Sequence, residues 1–185
     1  RTTISLCMIV INDDKFIARA LNNVKKFIDE IIIVDGGSTD NTVQIAKKFG
    51  AKIIHKNWQE DFAKQRNISL KYARKHWVLV MDADEVYEKK LLNLLQFLAK
   101  NELGVDAFAF PRKNYIDGKQ TAARPDRQIR FFRNFENIRY KGKIHEQPMG
   151  WHFLATPMGL HIIHRKSSDR QEWQNKYYRK LDRKY

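Results

Sequence analysis

Four short apolar runs alternate with segments of helical period through the first half of the chain, and that alternation leaves few folds open. Residues 3–11, 30–34, 51–55 and 77–81 are nearly continuous apolar stretches, as in strands buried on both faces of a parallel sheet. Residues 13–27 space Phe16, Ile17, Ala20, Leu21 and Val24 along one helical stripe. Residues 42–49, 61–75 and 87–100 supply three more expected helices, the first capped by Asp40 or Asn41 and ended by Gly50. The pattern predicts an α/β fold: a mostly parallel, Rossmann-like sheet with helices on both faces. Residues 106–116, 128–135 and 151–163 then read as strands without intervening helices, an antiparallel extension of the first half. The expected organisation is one domain. Residues 1–104 form a nucleotide-binding half, residues 105–165 an acceptor half, and residues 166–185 a basic C-terminal helix.

The run at 77–81 ends in Asp82-Ala83-Asp84-Glu85. Open α/β sheets bind ligands at the carboxyl ends of their strands, and two carboxylates one residue apart suit Mg²⁺ or Mn²⁺ with substrate phosphates. A lone pair of this kind is ordinarily a solvated acidic loop. Here Asp35 ends a second strand in the same context, and the two together favour a site.

With 185 residues, 43% of them hydrophobic, the chain can bury a full core. Its single cysteine, Cys7, excludes an intrachain disulfide and sits in an apolar run, as expected of core packing in a cytosolic protein. No stretch reads as a signal peptide or approaches the ~18 consecutive apolar residues of a membrane span. The net charge of +14 calls for an anionic partner: nucleic acid, an acidic membrane or phosphorylated molecules. No nucleic-acid-binding motif is legible, and the carboxylates would repel phosphates without a metal, so no nucleic acid is expected. Arg165, Lys166, Arg170, Lys176, Arg179, Lys180, Arg183 and Lys184 alternate with Trp173, Tyr177, Tyr178 and Tyr185. That stretch suits either an anionic membrane surface or a solvated helix packing its aromatic stripe on the domain.

Four motifs in order resemble the inverting GT-A glycosyltransferases of family 2. They are Ser5-Leu6-Cys7-Met8-Ile9-Val10-Ile11-Asn12-Asp13, the run from Ile33 to Thr42 containing Asp35-Gly36-Gly37-Ser38-Thr39-Asp40, Phe62-Ala63-Lys64-Gln65-Arg66-Asn67, and Val80-Met81-Asp82-Ala83-Asp84-Glu85. Arg130-Phe131-Phe132-Arg133, Gly142-Lys143-Ile144-His145-Glu146 and His161-Ile162-Ile163-His164-Arg165 are similar to the subgroup of bacterial lipopolysaccharide-core β-glucosyltransferases. Peptide and protein glycosyltransferases share some of that likeness. Two departures stand out: Asn12-Asp13 where Asn-Glu is commoner, and Gly36 where a second Asp is usual.

The resemblance implies a hexosyl transfer, of glucose by the subgroup, from a UDP-sugar to a lipopolysaccharide-core or similar glycolipid acceptor. It also implies a cytoplasmic protein, peripheral on the inner face of the bacterial inner membrane. Val10, Ile11, Asp13, Asp35, Arg66, Asp82 and Ala83 become the expected nucleotide-sugar residues. Asp35 would accept from uracil N3–H, its alternative being a helix cap; Arg66 would reach base or phosphates, its alternative being a surface arginine. Asp84, Asp82 and His164 are the expected ligands of Mn²⁺ or Mg²⁺, although a strand histidine hydrogen-bonded within the edge sheet is the plainer reading of His164. Inverting transfer needs one base for the acceptor hydroxyl. Glu146, with His145 beside it, is the candidate, and Glu85 and Asp126 are the alternatives. Arg130, Arg133 and His145 would hold acceptor or phosphate groups, a role that suits the guanidinium fork.

Overall fold

A computed structural model describes residues 3–101, 103–121 and 125–182. In chain order the elements are β1 (Ile4–Val10), α1 (Asp14–Val24), β2 (Glu30–Asp35), α2 (Thr42–Lys48), β3 (Lys52–His55), α3 (Phe62–Tyr72), β4 (Trp77–Val80), β5 (Glu85–Tyr87) and α4 (Lys89–Lys100). They continue with β6 (Ala107–Ile116), β7 (Lys119–Gln120), β8 (Asp126–Arg133), β9 (Arg139–Lys141), β10 (Gln147–Met149), β11 (Leu154–Ala155), β12 (Ile162–Lys166) and α5 (Ser168–Asp182).

The main sheet runs β3-β2-β1-β4-β8-β6-β12-β5, with β7 and β11 paired to β6. β3, β2, β1 and β4 are mutually parallel. β8 then enters antiparallel between β4 and β6, and β12 lies parallel to β6. The second half is therefore threaded into the same sheet, and a separate β9–β10 hairpin stands apart from it.

Side-chain alternation along the strands builds two cores. Leu6, Met8, Ile33, Leu79 and Phe131 pack on one face with Ile17, Leu21, Leu91 and Leu95 from α1 and α4. Cys7, Ile32, Val78, Val80 and Phe132 pack on the other with Ala63 and Leu70 of α3. The helices thus cover both faces, as the apolar runs require. α3 starts where the Asp61 carboxylate accepts from Lys64 N at 2.8 Å, and α2 stops before Gly50, whose φ of +77° suits a residue without Cβ.

Two expectations are corrected. The helix foreseen from residue 87 begins at Lys89, because Glu85–Tyr87 is a strand at the sheet edge, paired to β12 and pinned by Asn23 on both polar groups of the Tyr87 backbone. The strand foreseen over 151–163 is instead the short β11 and the later β12. Pro157, without an N–H, and Gly159, at φ +78°, interrupt the run. Arg183, Lys184 and Tyr185 of the basic stretch lie outside the described residues.

Candidate active site

The carboxyl ends of β1 and β4, the second half of β6, the segment before β10 and the inner side of α5 enclose a cavity of about 1000 Å³. Val10, Ile11, Asp13, Gly36, Arg66, Asp82, Ala83, Asp84, Arg130, His145, Glu146 and His164 all border it. Most of the residues singled out from the sequence are therefore brought together.

Their side chains are organised by an alternating ladder of ion pairs. Glu146 accepts from Arg66 Nε at 2.6 Å, and Arg66 Nη2 reaches Asp82 at 2.8 Å. Asp82 accepts from Arg130 at 2.6 Å, Arg130 from the same Nη2 reaches Glu85 at 2.8 Å, and Arg112 joins Glu85 at 3.2 Å to Asp126 at 2.7 Å. Arg66, Arg130 and Glu85 are buried, and a buried charge is tolerated only when paired in this way. Burial by itself would raise the Asp82 pKa, but Arg130 and then Arg66 outweigh it and hold the carboxyl well below its ordinary value. At Asp126 burial is likewise outweighed, by the Arg112, Gln128 and Asn114 hydrogen bonds and the Arg112 charge.

Asp84 sits on the other side of the same loop. His164 Nε2 approaches its Oδ1 at 3.1 Å, and Asn114 Oδ1 lies 2.7 Å from His164 Nδ1. His164 is thus a strand histidine held by Asn114 of the neighbouring strand, and it faces the acidic loop. Burial opposes ionisation of Asp84, but the His164 hydrogen bond and charge keep its pKa below the ordinary value. Asp84 and His164 offer a carboxylate and an imidazole side by side on the cavity wall. A carboxylate and an imidazole are donors that would suit Mn²⁺. Among the described residues no three His, Cys, Asp or Glu side chains converge as a metal site. Asp82, with both oxygens taken by arginines, does not join Asp84 and His164.

Several sequence-derived roles change. Arg66 is buried, not at the surface: Nε and Nη2 clamp Glu146 and Asp82, while Nη1 has no hydrogen-bond partner among the described residues and the side chain borders the cavity. Arg133 does not border the cavity; its guanidinium lies 4.6 Å from the Trp77 ring centroid. Positions 130 and 133 fall on opposite faces of β8, because side chains alternate along a strand. Asp35 is buried behind the cavity wall, its carboxylate accepting from Ser38 N at 3.0 Å and lying 3.2 Å from His55 Nδ1. The helix-start role belongs to Asp40, whose oxygens accept from Thr42 N and Asp14 N. Of the alternative bases, neither Glu85 nor Asp126 borders the cavity.

The sequence reading offered α5 as a helix packed on the domain but missed the role of Arg170. Arg170 donates from Nη2 to Asp13 at 2.7 Å and lies 3.3 Å from Asp84 through Nε. Tyr177 receives a hydrogen bond from the Trp58 indole, and Tyr178 meets Phe62 and His145 edge-on at 5.7 and 5.8 Å. Of the aromatics in the basic stretch, Tyr177 and Tyr178 pack on the domain beside the cavity, Trp173 is exposed, and Tyr185 lies outside the described residues.

Residues 5–170 match the family model for glycosyl transferase family 2, and the chain belongs to that family. It is 37% identical over 167 residues to a TPR repeat-containing protein of Synechococcus elongatus, covering 83% of this chain and 40% of that protein. It is 34% identical over 158 residues to the SPbeta prophage-derived glycosyltransferase SunS of Bacillus subtilis, covering 80% of this chain and 35% of that protein. The chain therefore spans well under half the length of these relatives. Among solved structures it resembles S. aureus TarS 1-349 in complex with UDP-GlcNAc, at a TM-score of 0.68 and 18% identity over 89% of this chain and 59% of that one. It also resembles the mannosyltransferase PcManGT of Pyrobaculum calidifontis in complex with GDP-Man and Mn²⁺, at a TM-score of 0.51 and 21% identity over 61% of this chain and 36% of that one. The fold is the GT-A arrangement of these enzymes.

Proposed function

We propose that this chain is the catalytic unit of an inverting hexosyltransferase. It moves a hexose, glucose in our reading, from a UDP-sugar to a hydroxyl of a lipopolysaccharide-core or similar glycolipid. The observation that carries the reading is the convergence of Asp84–His164, Asp82 and Glu146 on one cavity. The UDP and UDP-GlcNAc complexes of TarS support the donor class. The motifs shared with core glucosyltransferases and the net charge of +14 support a phosphorylated, membrane-borne acceptor.

In this reading Asp84 and His164 hold a divalent cation, Mn²⁺ or Mg²⁺, which when bound neutralises charge on the departing diphosphate. Asp82, fixed by Arg66 and Arg130, borders the cavity and would meet the donor's ribose there. Glu146 takes the proton from the acceptor hydroxyl as that oxygen bonds to the anomeric carbon and the bond from that carbon to the diphosphate oxygen breaks. One displacement from the face opposite the leaving group inverts the anomeric centre. Arg66 aims Glu146 through their hydrogen bond, so the base is oriented before substrate arrives.

Glu146→Gln tests the reading, because it keeps the Arg66 contact and removes the proton acceptor. Turnover of UDP-glucose with a core oligosaccharide should fall roughly 10²- to 10⁴-fold, as general-base loss does. UDP affinity by calorimetry should hold. Unchanged turnover moves the base elsewhere, and a matching loss of UDP affinity makes Glu146 structural.

A further inference from the structure

Arg170 occupies the place in the cavity where a cation is needed. Asp13 and Asp84 are 5% and 4% exposed, and the Arg170 guanidinium bridges them while lying 4.9 Å from the Phe16 ring centroid. Burial drives the Asp13 carboxyl toward its neutral form, and the Arg170 charge and hydrogen bond are what oppose it. Lys166 borders the cavity beside them and donates to Gln174. Arg170 thus bridges two acids beside the acidic loop, with Lys166 bordering the same cavity.

This balance conflicts with a loaded site. A divalent ion on Asp84 would face the guanidinium at close range, and like charges there repel strongly. The diphosphate that accompanies the ion brings the anionic oxygens that a guanidinium fork binds best. α5 carries Arg170 near its start and Tyr177 and Tyr178 two turns on, where they hold the helix on Trp58, Phe62 and His145 independently of Arg170.

We infer that Arg170 is an exchangeable positioning residue. In the free protein it neutralises Asp13 and Asp84; when the metal–nucleotide enters, it gives up Asp84 to the metal and transfers to the diphosphate. This rests on the metal and UDP-sugar reading above. It separates Arg170 from the other basic residues of α5, whose charge faces solvent.

The exchange makes two effects of opposite sign, which a merely structural arginine does not. In Arg170→Gln, Mn²⁺ alone, followed by loss of its free paramagnetic resonance signal, should bind about three- to tenfold more tightly, because its competitor is gone. UDP titrated calorimetrically at saturating Mn²⁺ should bind about tenfold more weakly, equivalent to about 1.4 kcal/mol. Arg170→Lys, which keeps the charge and loses the fork, should leave Mn²⁺ binding near wild type and weaken UDP less; it also serves if the Gln variant does not fold. Mn²⁺ and UDP weakening together, or neither changing, overturns the inference. Asp84→Ala separates the two levels. If it binds Mn²⁺ and UDP as wild type does, the metal reading and the exchange both fall. If it loses Mn²⁺ while Arg170→Gln shows no opposed effects, the metal reading stands and the exchange falls.

Discussion

Arg66→Met removes the rung that joins Asp82 to Glu146, and the cost follows from what each carboxylate keeps. Asp82 retains Arg130 at 2.6 Å and stays paired. Glu146 loses its 2.6 Å partner with only 12% of its side chain exposed. Breaking a buried pair from one side costs about 3–5 kcal/mol; with one of the two acids still paired, the lower end, about 3 kcal/mol, is expected. In a chain of this size that is a fall in Tm of about 6–12 °C. Glu146→Gln alone, keeping its acceptor oxygen, should cost about 1 kcal/mol. The double variant leaves no unpaired charge at position 146, so the cycle should close with at least about 1 kcal/mol of favourable coupling. Urea unfolding at constant m-value measures all four corners. An Arg66→Met protein within about 0.5 kcal/mol of wild type, or a cycle additive to within that margin, would refute the ladder as a source of stability.

Acid should loosen the same network. Asp82, Asp84 and Asp126 have folded pKa values below the ordinary 3.8, so their contribution is present above that value and is lost as pH falls through the depressed ones. The urea midpoint should drop steeply below about pH 4, and less steeply in Asp82→Asn; a flat acid limb in the wild type contradicts this. Gly150→Ala puts a Cβ 2.1 Å from the Asn137 carbonyl oxygen at a φ of +101°, so it should destabilise the β9–β10 hairpin by about 1–3 kcal/mol, and an unchanged midpoint would show that the loop gives way freely. Vesicles containing anionic lipid should bind the protein in a salt-sensitive way, at about 1 kcal/mol per engaged basic residue. Replacing Arg179, Lys180, Arg183 and Lys184 with Gln should release it without touching UDP affinity, and protein left in the supernatant at low salt removes the membrane contact.

What the sequence made legible was whatever depends on neighbours along the chain. The parallel half follows from four apolar runs and the helical stripes between them, and β1, β2, β3 and β4 form in that order of residues. The acidic loop after β4 follows from the same logic, since strand ends line a cavity mouth. Contacts at long range were hidden. Arg66, Asp82 and Glu146 read as three separate roles because residues 16 and 80 positions apart carry no sign of meeting. β8 was foreseen as a strand, but its place between β4 and β6 is a property of the sheet, and only that place brings Arg130 beside Asp82 and turns Arg133 away.

The basic stretch misled for a different reason: charge counting treats every arginine alike. Arg170 is spent inside the cavity against Asp13 and Asp84, whereas Arg179 and Lys180 stay exposed. The ladder, for its part, pairs four carboxylates with three guanidinium groups, and its outermost acid, Asp126, keeps 39% of its side chain exposed. A net charge of +14 favours an anionic partner, and the phosphorylated, membrane-borne acceptor proposed above would meet it beside the cavity that Glu146 borders.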